Sequence, residues 1–129
     1  MATGTINEYA ITTNKTVVEV SGGWEHLYIV FEKTEKIVVA RVMVKLTGNS
    51  GIGIRTYSDA IPVGVRPRNE VYPDGSGQSY VAASVERNDS GTQGQGTIQF
   101  SSDGTIQFGI NQAGVSGVYL STHLTYFAD

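Results

Sequence analysis

The chain has 129 residues, a net charge of −3 and 16 % charged residues, and a chain of this length fits one domain with a sizeable core. The absence of cysteine excludes disulfides and thiolate metal sites. The nine Lys and Arg residues are scattered along an acidic chain, which argues against nucleic acid as a partner.

The first residues carry no recognisable export or membrane signal. No basic segment followed by an apolar run opens the sequence, and no apolar run approaches the roughly 18 residues of a membrane span. We therefore expect neither Sec-type export nor membrane insertion. Residues 1–15 show little pattern and are predicted to be a lead-in to a partner or a longer assembly, ahead of one β domain over residues 16–129.

Short segments in which apolar and polar residues alternate predict β-strands along the rest of the chain. In chain order they are Thr16–Val20, Leu27–Phe31, Lys36–Leu46, Ile52–Tyr57, Ser79–Arg87, the two halves of Thr97–Ile110, and Val118–Phe127. Leu27–Phe31 is apolar on both parities, so both of its faces are predicted to be covered. Residues 60–68 hold two prolines, which exclude a helix and predict an extended edge or crossover segment.

The longest predicted strand, Lys36–Leu46, has more apolar surface than one sheet contact covers. Its even positions form an unbroken apolar row, while its odd positions mix Ile37, Val39 and Met43 with two basic residues. Because packing of one sheet on another buries a single face of each strand, the odd row is predicted to lie in a subunit interface.

The tetrapeptide Thr-Ile-Gln-Phe occurs twice within Thr97–Ile110, around a Ser-Ser-Asp-Gly turn, and predicts a β-hairpin. A two-residue loop would set Phe100 opposite Gln107, so that one strand would lose its apolar face. A three-residue loop pairs Phe100 with Ile106 instead. We therefore predict a type I turn followed by Gly104 in the left-handed conformation and a bulge.

These elements predict an all-β fold. About eight or nine strands, short turns and the lack of helical periodicity are typical of an antiparallel β-sandwich or a jelly-roll-like single domain.

Residues that could carry catalysis or hold a metal lack the required spacing. The histidines and carboxylates form neither a His-x-x-x-His pair nor a calcium loop. No nucleophile elbow occurs, and the acids fall mostly in turns and at strand ends, where solvated surface charge is the simpler interpretation. We therefore predict no enzyme activity, no metal site and no cofactor.

Aromatic and polar side chains near the predicted loops suggest carbohydrate binding, because a ring can stack on a sugar while neighbouring polar groups bond its hydroxyls. The candidate saccharide-binding residues are Tyr57, Tyr72, Gln78, Asn88, Asp89, Tyr119 and His123. The alternative is that the tyrosines pack at strand edges. Trp24 is predicted to pack inside the domain, since a lone indole in a small β domain is usually mostly buried.

The order of several motifs resembles a known family. The motifs are Gly23-Trp24, the Lys-Ile-Val-Val strand Lys36–Val39, the Ile-Pro-Val-Gly-Val-Arg-Pro segment Ile61–Pro67, the Ser-Asp-Gly-Thr-Ile hairpin Ser102–Ile106, and the closing strand Tyr119–Tyr126. Together they resemble the C-terminal head domain of tail-fibre and baseplate receptor-binding proteins from phages of Gram-positive hosts, over roughly Val17 to Phe127.

The resemblance implies a β-sandwich head that forms a homotrimer and binds host cell-surface saccharide without catalysis. It also implies other tail or baseplate proteins as partners, and a place at the phage tail tip after synthesis in the host cytoplasm. Within such a trimer, Arg66 sits in a rigid segment and is predicted to bond carbonyls or a carboxylate across the interface. Two alternatives stay open: a structural trimerising tail module that binds no sugar, and a small glycan-processing enzyme.

Overall fold

A computed structural model describes residues 13–48, 53–87, 96–110 and 117–129. These segments contain ten strands. They are β1 (Thr13–Ser21), β2 (Glu25–Thr34), β3 (Ile37–Leu46), β4 (Gly53–Tyr57), β5 (Glu70–Val71), β6 (Gly77–Gln78), β7 (Tyr80–Arg87), β8 (Gly96–Ser101), β9 (Ile106–Ile110) and β10 (Tyr119–Phe127). Strand β1 already begins inside the predicted lead-in, while residues 1–12 lie outside the described segments.

Eight of these strands form one curled antiparallel sheet in the order β1-β2-β3-β10-β7-β8-β9-β4. The sheet folds over into two halves, β1-β2-β3-β10 and β7-β8-β9-β4. Within the described segments, two residue pairs join β10 to β7: Leu120 with Arg87, and Ser121 with Glu86. Strands β5 and β6 make a separate small hairpin. The prediction of an all-β, sandwich-like domain is confirmed.

Strand β3 alternates strictly between buried even positions and exposed odd positions. Its even row contributes Val38, Ala40, Val42, Val44 and Leu46 to the core between the two halves. The predicted inward rows of β7 and β10 also point to the core, with Val85, Leu120 and Leu124 buried. The period-two pattern therefore identifies the core side of these strands correctly.

The β8–β9 hairpin has the predicted register, because Phe100 pairs with Ile106. The amide of Gly104 donates to the carbonyl of Ser101 at 3.0 Å, and the amide of Ser101 donates to the carbonyl of Thr105 at 2.9 Å. Gly104 is left-handed, with φ +92°. The turn, the left-handed glycine and the bulge occur as the three-residue loop requires.

Three aromatic rings at the centre of the core connect the two halves. The ring centroids of Phe31 on β2 and Phe100 on β8 lie 5.6 Å apart. Tyr126 on β10 meets Phe100 edge-on at 6.2 Å, and its hydroxyl donates to the carbonyl of Val65 at 2.7 Å. Burial raises the pKa of the Tyr126 hydroxyl above its ordinary value.

The prediction of an extended segment over residues 60–68 is wrong in one part. Val63–Val65 form a single 3₁₀ turn directly after Pro62, whose φ of −56° suits the entry to a helical turn. A proline excludes the interior of a long helix, but it favours the first turn of a short one. Beyond this turn the segment is extended, and Pro67 forms an isolated β-bridge with Ala128.

Candidate binding surface

Strands β1, β2, β3 and β10 turn one side of their shared sheet to solvent, and this side is called the outer face. The register places Tyr28 opposite Met43, and Met43 opposite Ser121. The neighbouring row runs from His26 to Lys45 to Tyr119. Cross-strand neighbours lie on the same face of a sheet, so these rows bring side chains from three strands together.

Two shallow grooves adjoin each other on the outer face. The first has a volume of about 360 Å³ and is lined in part by Tyr28, Arg41, Met43 and His123. The second, of about 290 Å³, is also lined by Tyr28 and Met43, and adds Tyr119 among others. Because Tyr28 and Met43 line both, the grooves form one continuous depression across β2, β3 and β10.

Charged groups surround the rings of this depression. The Lys45 ammonium lies 5.7 Å from the centre of the Tyr119 ring, and Arg41 donates to the Glu32 carboxylate. Exposed aromatic rings beside polar and charged groups are the chemistry of a recognition surface for a hydrated, polar ligand.

A second polar row lies at the end of the β1–β2 hairpin. His26 Nδ1 is 2.5 Å from the Ser21 hydroxyl, and His26 Nε2 is 3.4 Å from a carboxylate oxygen of Glu19. The His26 and Glu19 side chains line the second groove as well.

Two of the predicted saccharide-binding residues and three of the predicted interface residues share the outer face. Tyr119 and His123 lie on β10, opposite Lys45 and Arg41. On the same side, β3 exposes Ile37, Val39 and Met43. A subunit packed flat on this face would therefore cover the grooves, so the two predicted uses compete for one surface.

Tyr57 does not reach the outer face. It is half-buried at one end of the core, and its hydroxyl donates to the carboxylate of Glu25. Burial, and then the hydrogen bond and negative charge of Glu25, raise the pKa of this hydroxyl above its ordinary value. These contacts favour a structural role for Tyr57 over the predicted sugar contact.

Glu25 is fully buried, which is rare for a carboxylate. Arg55 supplies the opposite charge, with its Nε 3.4 Å from Glu25 Oε1, and stacks its guanidinium 5.3 Å from the Trp24 ring. Within the described segments, neither Glu25 Oε2 nor Arg55 Nε has a hydrogen-bond partner. A Cβ at Gly22 would lie 1.7 Å from Glu25 Oε1, so a larger residue there would displace the Glu25 carboxylate.

Trp24 packs inside the domain as predicted. Its ring is partly buried against the core and lies 6.1 Å from the ring of Phe108. The indole therefore closes the end of the sandwich at which Glu25 and Arg55 pair.

Tyr72 and Gln78 lie together on the β5–β6 hairpin, which is separate from the eight-stranded sheet. The Tyr72 hydroxyl donates to the Gln78 side chain. In the turn between them, hydrogen bonds from the Ser76 hydroxyl and amide hold the pKa of the Asp74 carboxyl below its ordinary value. The other two predicted saccharide-binding residues, Asn88 and Asp89, lie outside the described residues.

Arg66 makes the predicted types of bond within its own chain. Its Nε donates to the Ile61 carbonyl at 2.7 Å, and its Nη2 donates to the Asp59 carboxylate at 2.5 Å. A Cβ on Gly104 would lie 2.6 Å from the guanidinium, so the side chain covers the β8–β9 turn. These contacts already account for the guanidinium without a second subunit.

Tyr28 and Lys45 complete the depression but were not among the predicted binding residues. The prediction that both faces of Leu27–Phe31 are covered is wrong, because the Tyr28 side chain is 40 % exposed on the outer face. The alternation places Tyr28 opposite the core, but sequence alone does not reveal that the described chain leaves this side open.

The comparisons with known proteins leave the surface to be interpreted from its own chemistry. No protein-family model and no curated protein sequence matches the chain. The described residues contain no group of three or more potential metal ligands. Nor do they include a helix with the length and hydropathy needed to cross a membrane.

Proposed function

We propose that the chain is a receptor-binding head of a phage tail or baseplate that attaches to host cell-surface saccharide through the outer face. The observation that carries the proposal is the continuous depression in which Tyr28 and Tyr119 flank Met43 and Lys45. Aromatic rings supply stacking surface, and the surrounding charged groups supply hydrogen bonds to sugar hydroxyls or acidic substituents.

Contacts between two motifs support the part of the proposal that rests on the family resemblance. The amides of Ala60 and Ile61 donate to the carbonyl of Gly104 at 2.8 and 3.0 Å, and Arg66 covers the same turn. The proline-containing segment and the Ser-Asp-Gly-Thr-Ile hairpin therefore form one structural unit. Because each motif is held by the other in the fold, we expect a chain that contains one of them to contain the other as well.

Replacing Tyr119 or Tyr28 with alanine is expected to weaken saccharide binding about tenfold, because each change removes one stacking ring. The measurement is binding of the labelled protein to an array of bacterial surface saccharides, followed by titration of the saccharide that binds best. Tyr80→Ala is the matched control, since Tyr80 is exposed to a similar degree on β7. Unchanged binding by both outer-face variants would contradict the assignment of the site, and retention of no saccharide by the wild type would contradict the function.

The second candidate function is a structural tail module that trimerises and binds no sugar. The observation that favours it is the exposure of Ile37 and Val39 on the outer face, at 46 % and 37 %. Apolar side chains grouped on an exposed sheet face are typical of a surface that associates. Trimerisation with saccharide binding supports the first candidate, and trimerisation without it supports the second.

If the outer face builds the trimer, Val39→Glu is expected to reduce the mass from three times the 13.8 kDa chain to that of a smaller unit, because the change buries a charge at the interface. Light scattering during size exclusion measures this mass. The control is Ile54→Glu, which adds the same charge at an exposed position of β4. Equal masses for the wild type and the Val39 variant would remove the outer face as the trimer interface.

The third possibility, a glycan-processing enzyme, predicts release of new reducing ends from the bound saccharide. Within the described residues, the one fully buried carboxylate is Glu25, which is paired with Arg55 at the end of the core and not in the grooves. This arrangement favours a structural role for that carboxylate.

A further inference from the structure

Strand β1 is one of two edges of the eight-stranded sheet. It has nine residues, none of which is proline, and within the described residues it pairs with β2 alone. An edge of this length offers a row of backbone donors and acceptors to an added strand. The other edge, β4, has five residues, and its Arg55 is engaged with Glu25.

Two charges of opposite sign lie at equal distances on either side of Val17 in β1. Lys15 lies two residues before Val17 and Glu19 lies two residues after it. All three side chains are exposed, and they share the outer face because side chains alternate along a strand. Two antiparallel copies of β1 centred on Val17 would therefore place each lysine opposite a glutamate.

We propose that β1 is a self-association edge, at which a second copy of this chain adds its own β1 in antiparallel orientation. Val17 then lies opposite Val17 of the partner subunit, and Lys15 lies opposite Glu19 of the partner subunit. The two-fold symmetry creates the second Lys–Glu pair automatically. The β1-β2-β3-β10 half-sheets of the two copies become one continuous sheet.

Charged side chains on an edge strand often prevent pairing, and the arrangement of charge decides which effect operates here. Charges of one sign repel an identical strand, whereas opposite charges placed symmetrically attract it. Apolar contact adds to this attraction, since Val17 is 48 % exposed at the centre of the strand. Val30, directly opposite Val17 on β2, extends the apolar surface inward.

This inference does not depend on the proposed receptor-binding function. The grooves and the exposed β3 side chains lie on the face of the sheet, whereas the added strand would bond to its edge. Edge pairing joins two copies of the existing oligomer and so doubles its mass. A monomer becomes a dimer, and a trimer becomes a hexamer made of two trimers. Glu19 also lines the second groove, whereas Lys15 lines neither groove. Lys15→Glu therefore separates a failure of edge pairing from a failure of saccharide binding.

Charge reversal tests the register. Lys15→Glu or Glu19→Lys alone converts both symmetric ion pairs into like-charge pairs, and each is expected to weaken the doubling association about tenfold or more. The double variant K15E/E19K restores opposite charges with their positions exchanged, so it is expected to recover wild-type association. Sedimentation velocity over a range of protein concentrations measures the masses.

Lys36→Glu is the matched control, because Lys36 is exposed in the turn that follows β2 and is not part of β1. It is expected to associate as the wild type does. A wild type whose mass does not double, single variants that associate normally, or a double variant that fails to recover would each overturn the proposal.

Discussion

Phe100→Ala is expected to lower the free energy of unfolding by about 3–5 kcal/mol, because it removes a large ring from the centre of the core. Phe100 is fully buried and touches Phe31 and Tyr126, which lie on two strands of the opposite half. The loss is large beside the total stability of a domain, which is about 5–15 kcal/mol. Urea denaturation followed by tryptophan fluorescence measures it.

Gln99→Ala is the control for Phe100→Ala, since Gln99 is the preceding residue on β8 and lies on the other side of the strand. It is expected to change the free energy of unfolding by about 0.5 kcal/mol or less. A loss at Phe100 no larger than that at Gln99 would mean that the two halves of the sheet do not pack through this ring.

Arg55→Met is expected to cost about 3 kcal/mol, because it leaves the Glu25 carboxylate buried without an opposite charge. Glu25 has no exposure to solvent, and among the described side chains Tyr57 would remain as its hydrogen-bond donor. Adding Glu25→Gln to Arg55→Met is expected to recover part of the loss, since a neutral amide is less costly to bury than a carboxylate. The measurement is a double-mutant cycle of urea unfolding.

Arg68→Met is the matched control for Arg55→Met. Arg68 also pairs with a glutamate, Glu70, and also stacks on a ring, that of Phe127, but both of its partners are exposed. Surface pairs contribute little to stability, so this variant is expected to lose about 1 kcal/mol or less.

Strictly additive effects of the Arg55 and Glu25 substitutions would show that the two side chains are not coupled.

Local patterns predicted eight of the ten described strands, all except the two-residue strands β5 and β6, and one complete hairpin. Alternation placed the even residues of β3 in the core, and the need to align two apolar rows selected the register in which Phe100 pairs with Ile106. These features depend on residues close in sequence, whose spacing is fixed by the geometry of a strand. The alternation of apolar and polar residues also predicted which side of β10 faces the core.

The sequence did not predict which strands that are distant along the chain lie side by side. The candidate site depends on this arrangement. Strand β10 pairs with β3 over nine residue pairs, which brings Tyr119 and His123 beside residues that the sequence had assigned to an interface. No local pattern encodes that neighbourhood. The hydrogen bond from Tyr57 to the buried Glu25 was not predicted either, since a buried carboxylate is too rare to expect from sequence.

The pairing of β10 with β3 also determines how the molecule reaches its fold. Loop closure over so many residues costs chain entropy before any contact compensates for it, so folding is expected to be slow for a domain of this size. Strands β1, β2 and β3 can meet as a local meander, but β10 is synthesised after every other described strand. Until β10 arrives, β3 presents an unpaired edge in the middle of the eventual sheet. Exchange of β10 between two incomplete copies is therefore the misassembly to which this topology is most exposed during synthesis.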